Sequence, residues 1–226
     1  MNTPESKAST QDSWVWERFR KLVYRFLRLL ARMLFTLLFD LRVEGRQHLR
    51  ADGSAMLLSS HQSVMDPVLV GLLDNHFICY LARHTLFRSR LFAFLLRVLN
   101  AIEIDRERGG LSGLKEMLRR LKGNDRVLLF PEGTRTTDGE IGQLKPGFIP
   151  IARRSKVPLI PIAIAGAYEC VPKGSKLIRI RPIAVCVGPP LESKTYDALS
   201  DAELLAEVTS RMHRLYARAT ELRSHR

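Results

Sequence analysis

Residues 55–67 read Ala55-Met56-Leu57-Leu58-Ser59-Ser60-His61-Gln62-Ser63-Val64-Met65-Asp66-Pro67. An apolar run of strand length passes through a polar turn into a helix start. Asp66-Pro67 places an aspartate at the cap and a proline, with φ already set, at the first helical position. The same succession continues outward from this stretch. Leu41–Glu44, Phe77–Leu81, Ala101–Ile104, Val127–Phe130, Leu159–Ala165, Leu177–Ile180 and Ile183–Val187 also have the length and composition of strands. Val68–Leu73, Leu91–Leu99, Leu111–Leu121 and Gly147–Arg154 read as helices between them. Near the end, Ser200 and Glu203 form a capping box, and Leu204, Val208, Met212, Leu215 and Ala219 line one face of a final helix. Interleaving of this kind predicts an α/β domain with a central, mostly parallel or mixed sheet flanked by helices.

The N-terminal segment has a different pattern. Residues 1–12 are polar and expected to be disordered, and 13–42 form an amphipathic helical segment. Arg18, Lys21, Arg25, Arg28 and Arg32 recur at steps of three and four, which gathers them on one face. Leucines, phenylalanines and Met33 fill the remainder, with Trp14 and Trp16 near the start. A broad apolar face, a cationic stripe and aromatic anchors suit a helix lying in a bilayer interface. A domain-packed helix with solvated cations has the same pattern. The apolar piece Met33–Phe39 is too short to span a bilayer. Residues 43–226 are expected to form one catalytic domain, without internal repeats.

The 226 residues carry 36 Lys and Arg against 23 Asp and Glu, a formal charge of +13. That excess points to a polyanionic partner, either an anionic lipid surface or nucleic acid, or to a merely basic exterior. The basic stripe is tied to an apolar helix face, and no nucleic-acid motif stands out, so nucleic acid is not expected. Cys79, Cys170 and Cys186 are widely spaced in apolar stretches, as buried free thiols are, and imply a reducing, cytosol-facing compartment. No metal-ligand spacing or secretory signal is read.

Three segments carry candidate chemistry. His61 and Asp66, five apart, cannot share one stripe of a continuous helix. A strand-to-helix turn could nevertheless bring them together, with the carboxylate fixing the tautomer of an imidazole base. Phe130-Pro131-Glu132-Gly133-Thr134-Arg135 follows a strand, where α/β sheets bind ligands; Gly133 permits close approach, and Arg135 offers a fork for phosphate. Ile102-Glu103-Ile104-Asp105-Arg106 ends another strand in arginine. Taken alone, His61 and Asp66 read more readily as a surface histidine and a helix cap, and each of the other two segments equally as an ordinary turn or strand end with solvated charges. Val157-Pro158-Leu159-Ile160-Pro161 reads as a structural strand lead-in.

In this order the segments resemble the glycerolipid acyltransferase family, whose members carry an N-H-x-x-x-x-D block, a block ending in I-D-R, F-P-E-G-T-R and a V-P-x-x-P strand. The resemblance runs from about Val43 to Pro190. It implies His61 as general base and Asp66 as its orienting partner. It also implies Arg106 and Arg135 on an acceptor phosphate, with Glu132, Gly133 and Thr134 in the acceptor-binding segment. The implied reaction passes a fatty acyl group from acyl-CoA or acyl carrier protein to the free hydroxyl of 1-acylglycerol-3-phosphate, giving phosphatidic acid, with no metal or other cofactor. Partners are then lysophosphatidic acid, the acyl carrier and anionic membrane lipids. The expected location is peripheral or monotopic on the cytoplasmic face of a membrane, the bacterial inner membrane. Ser60 stands where the family usually has Asn, and Asn100 and Glu103 depart from the second block. Another lysophospholipid or lyso-aminolipid acceptor, a hydrolase, or a non-catalytic basic lipid-binding module are the competing readings.

Overall fold

The computed structural model describes residues 8–50, 52–74, 76, 78–83, 101–104, 111–175 and 177–224. The helix expected over Leu91–Leu99, and Arg106, lie outside the described residues. In chain order come α1 (Ala8–Phe39), β1 (Arg42–Glu44), a 3-10 turn (Arg46–Leu49), β2 (Ala55–Ser59), α2 (Asp66–Leu73), β3 (Ile78–Arg83) and β4 (Ala101–Ile104). They are followed by α3 (Leu111–Lys122), β5 (Arg126–Leu129), a 3-10 turn (Pro146–Phe148), α4 (Ile149–Ser155), β6 (Leu159–Ala165) and α5 (Ala167–Cys170). The order closes with β7 (Ala184–Val187), α6 (Ser193–Tyr196) and α7 (Asp201–Ser224).

The strands form one sheet in the order β1-β7-β6-β2-β5-β3-β4. Every described pairing is parallel except β6 with β7. A mixed α/β sheet was expected from the interleaving, and its central strands show why they read as unbroken apolar runs. Successive residues of a strand face opposite sides, and here both sides are covered. Leu57 of β2 and Ile160, Ile162 and Ile164 of β6 pack beneath α1, α2 and α5 with Phe35, Leu69 and Val70. Met56 and Leu58 of β2 turn to the other face, against Met117, Phe148, Tyr196, Leu204 and Met212.

Helix α1 begins at Ala8, ahead of the start at Trp14 expected from the pattern. Its last turns belong to the domain: Phe35 and Phe39 are buried, their ring centroids 5.2 Å apart. Leu22, Phe26, Leu29, Met33 and Leu37 stay exposed. No described helix is long and apolar enough to cross a membrane. At the far end of α2 the Asp74 carboxylate meets Arg126 Nη1 at 2.5 Å, both side chains buried. The Arg126 guanidinium also donates to the carbonyls of Leu49 and Gly53, at 2.9 and 3.4 Å. Removing one partner of such a pair leaves an uncompensated buried charge, a cost of about 3–5 kcal/mol.

Two expectations are corrected. Leu177–Ile180 is not a strand: its alternating pattern finds no sheet partner among the described residues, and Leu177, Ile178 and Ile180 lie exposed. Asp66 is not the cap of α2; Met65 holds that position and Asp66 is the first helical residue, its carboxylate turned back towards the loop before it. The capping box forms as read, Ser200 N donating to Glu203 Oε2 at 2.7 Å and Glu203 N to Ser200 Oγ at 3.2 Å. All three cysteines are buried, and none forms a disulfide among the described residues.

Candidate active site

β2 and β5 are adjacent and parallel, with Leu58 beside Leu129. Their carboxyl ends therefore open on the same edge of the sheet, where α/β folds bind ligands. His61 follows β2 and Phe130–Arg135 follows β5, so the two strongest sequence segments meet by topology. Thr136 N donates to His61 O at 2.8 Å and joins the two loops directly.

The loop brings His61 and Asp66 together: Nδ1 of His61 lies 2.8 Å from Asp66 Oδ2. The same oxygen accepts from Ser63 N at 2.7 Å, which bends the loop around it. Asp66 is fully buried, and burial holds its carboxyl above its ordinary value. Oδ1 is buried and has no hydrogen-bond partner among the described residues. With Nδ1–H donated to the carboxylate, Nε2 is the imidazole nitrogen left to accept a proton. The ring stacks on Phe130, centroids 3.9 Å apart and planes 17° from parallel, which leaves it little freedom to swing. One-fifth of the side chain remains exposed, so a substrate hydroxyl has access.

Glu132 is buried, with both oxygens committed to main-chain amides: Oε1 accepts from His61 N at 2.7 Å and Oε2 from Gly142 N at 2.9 Å. Burial raises its carboxyl above the ordinary value despite these bonds. Gly133 takes φ +73°, and a β-carbon there would sit 3.2 Å from Lys145 Nζ. Lys145 N bonds Pro131 O at 2.9 Å, so the lysine is carried on the same turn. Thr134 is exposed and accepts from Lys173 Nζ at 3.0 Å. Arg135 is half-buried beside it.

Gln62 and Ser63 drew no attention in the sequence, and Ser60 stood out there only as a departure from the family's usual Asn. Gln62 is buried; its Nε2 donates to Gly139 O, and its Oε1 accepts from Ala167 N at 3.1 Å. Ser63 Oγ donates to Val171 O at 3.0 Å, and Ser60 Oγ accepts from Ile164 N at 2.9 Å. These bonds fasten the His61 loop to β6 and α5. An amide or hydroxyl beside a histidine carries no distinctive sequence signal; only adjacency to His61 could have suggested them. Among the described residues no three His, Cys, Asp or Glu side chains gather as metal ligands.

A base fixed on a buried carboxylate, open on one side beside lysines and an arginine, suits proton removal from a hydroxyl on an anionic substrate. Comparisons with known proteins agree with that chemistry. Residues 40–165, more than half of the chain, match the family model described as Acyltransferase. The 1-acyl-sn-glycerol-3-phosphate acyltransferase of Bacillus subtilis (strain 168) is 28% identical over 192 residues, covering 84% of this chain and 94% of that protein. The chloroplastic 1-acyl-sn-glycerol-3-phosphate acyltransferase LPAT1 of Arabidopsis thaliana is 25% identical over 190 residues, 82% of this chain; the match spans about half of that longer protein, 53%. Among solved structures, that of the 1-acyl-sn-glycerophosphate (LPA) acyltransferase PlsC from Thermotoga maritima superposes with a TM-score of 0.77 at 27% identity, covering 92% of this chain and 84% of that one.

Proposed function

We propose, from the premise that this chain belongs to the Acyltransferase family, that it acylates the free hydroxyl of 1-acylglycerol-3-phosphate from an acyl-CoA or acyl carrier protein thioester and so makes phosphatidic acid. The observation that carries the proposal is the His61 Nδ1–Asp66 Oδ2 contact of 2.8 Å on a carboxylate sealed from water. In this reading Asp66 fixes the imidazole tautomer and stabilises the imidazolium that forms. Nε2 removes the hydroxyl proton as the acceptor oxygen attacks the thioester carbonyl. Collapse of the tetrahedral intermediate expels the thiolate, which takes that proton from His61. No covalent acyl-enzyme is needed.

The acceptor assignment is supported by the relatives, which bear the name of that acyl transfer. It is also supported by the cations grouped beyond the base: Arg135, Lys145 and Lys173 all belong to or touch the segment after β5. Arg135, with Arg106, is assigned to the acceptor phosphate, where a planar fork outperforms a point charge. Thr134 and Gly133 form the adjoining wall, and Glu132 acts through the main chain. The basic, apolar-faced α1 holds the enzyme on the cytoplasmic surface of a membrane, where acceptor and product both reside.

The test is acyl transfer from acyl-CoA and from acyl carrier protein to lysophosphatidate in mixed micelles, wild type against His61→Ala. Phosphatidate is expected from the wild type, and a rate lower by about 10²–10⁴ from the variant. Equal turnover by the two proteins would remove His61 as the base. Transfer only to other lyso-lipids would move the acceptor assignment while leaving the reaction class in place.

A further inference from the structure

The stretch that failed to become a strand carries an inference of its own. Leu177, Ile178 and Ile180 are 64%, 62% and 60% exposed. They do not belong to a loose tail. Ser175 N bonds Pro172 O at 3.0 Å, Leu177 N bonds Ser175 Oγ at 3.1 Å, and Arg179 N bonds Cys170 O at 2.8 Å. The fold thus holds three large aliphatic side chains out in solvent on a fixed main chain. Arg179 lies between them and Lys173 and Arg181 flank them, all exposed. None of the three is paired with a carboxylate among the described residues, and Lys173 Nζ lies instead against Thr134 Oγ1.

Both roots of the loop sit at informative places. Val171, at its start, accepts the bond from Ser63 Oγ in the turn that carries His61. Ile183, at its end, donates to Phe39 O at 2.9 Å, the last residue of α1. The loop therefore runs from the catalytic turn to the base of the helix whose own apolar residues are exposed. Aliphatic residues set among unpaired cations match an anionic bilayer interface, with hydrocarbon below and phosphate above. An acidic protein partner would meet the cations but leave the aliphatic tips without a recess.

We propose that Leu177, Ile178 and Ile180 insert into an anionic lipid surface, with Arg179 and Arg181 on its head groups. This makes a second contact that orients the segment after β5 towards the bilayer. One helix alone lets a domain rotate about its axis, and a separate anchored loop removes that freedom. This goes beyond the acyl-transfer reading, and neither readout below involves turnover, so a wrong acceptor would leave both unchanged.

The full-length chain carrying Ile178→Cys is labelled with an environment-sensitive nitrobenzoxadiazole probe; the native Cys79, Cys170 and Cys186 are buried and do not compete. It is mixed with vesicles of phosphatidylcholine, or of equimolar phosphatidylcholine and phosphatidylglycerol. Blue-shifted emission, enhanced about twofold or more, is expected with the anionic vesicles. In sedimentation, Leu177→Ser/Ile178→Ser/Ile180→Ser should weaken vesicle binding by at least about tenfold. Arg179→Gln/Arg181→Gln should weaken it about fivefold per charge, an effect absent on neutral vesicles. Unchanged emission from a labelled protein that still sediments with vesicles overturns the proposal. So does a shift caused only by acyl carrier protein, which would assign the loop to an acidic protein. The probe reads the otherwise native loop, so misfolding of the triple variant cannot mask the result.

Discussion

Glu132 holds the main chain of His61, not its ring: Oε1 accepts from His61 N at 2.7 Å while the imidazole turns to Asp66. The glutamate of the motif after β5 thus sets the height of His61 from the neighbouring strand. Glu132→Gln replaces one acceptor by a donor and leaves either His61 N–H or Gly142 N–H facing an amide NH₂. We expect kcat to fall by up to about 10²-fold, the loss that follows a small displacement of a catalytic group, with KM for the acceptor little changed. Steady-state kinetics decide it. A raised KM at unchanged kcat would instead place Glu132 on the acceptor.

Asp66→Asn separates charge from geometry. The asparagine carbonyl can still accept from His61 and Ser63, but its NH₂ takes the place of Oδ1, which has no partner among the described residues. Without the negative charge the imidazolium is unsupported, and kcat should drop by about 10²–10⁴. Stability should change by no more than the cost of one unmade buried hydrogen bond, about 1–3 kcal/mol, because a desolvated charge is removed at the same time. Thermal melting alongside kinetics checks both halves.

Acid should silence the enzyme before it unfolds it. Burial raises both Asp66 and Glu132, so each protonates in the folded state above the ordinary carboxylate value of about 4. Between that value and the raised ones the folded chain binds more protons than the unfolded chain. Lowering the pH through this window therefore adds stability from these two groups, and raising it removes stability. Protonation spoils the acceptors that hold His61, however, so kcat should decline there. Glu116, held down to about 2 by Arg119 and Arg120, and Glu203, lowered by Ser200, lose their contributions only at more acid pH. The activity limb and the melting curve, measured over the same pH series, should come apart. Coincident loss of both would contradict this assignment.

Arg135→Ala is expected to raise KM for lysophosphatidate by about tenfold or more while leaving a phosphate-free acyl acceptor unaffected. Arg135→Lys, which keeps the charge and loses the fork, should recover only part of it. Equal slowing with both acceptors would exclude the phosphate contact.

What the sequence revealed, and what it withheld, follows from how far apart the partners lie. Ala55–Ser59 and Leu159–Ala165 read as buried strands because their composition alone demands cover on two faces. His61 and Asp66 were legible as a pair because one turn joins them. Glu132 was legible as a motif residue but not as a clamp, since its partners are main-chain amides of two other loops. Asp66 looks like a helix cap from its neighbours, and only the folded turn shows its carboxylate drawn to the imidazole. The alternation of Leu177–Ile180 satisfies a strand pattern locally, but a strand forms only where a neighbour pairs with it, and β7, which follows, already lies between β1 and β6. The burial of Arg126 has no local signal, because it depends on Asp74, which the fold supplies from the end of α2.

The pairing of β1 with β7 also has a consequence for biosynthesis. Arg42, Val43 and Glu44 bond alongside Ala184, Val185 and Cys186, so the first strand to leave the ribosome waits for the last. Through most of translation the nascent chain carries α1, with its greasy outer face, and no finished edge to fasten it to. A chain broken off before Ala184 loses more than its tail, because β1, just after the helix at the opposite end, is left without its partner strand.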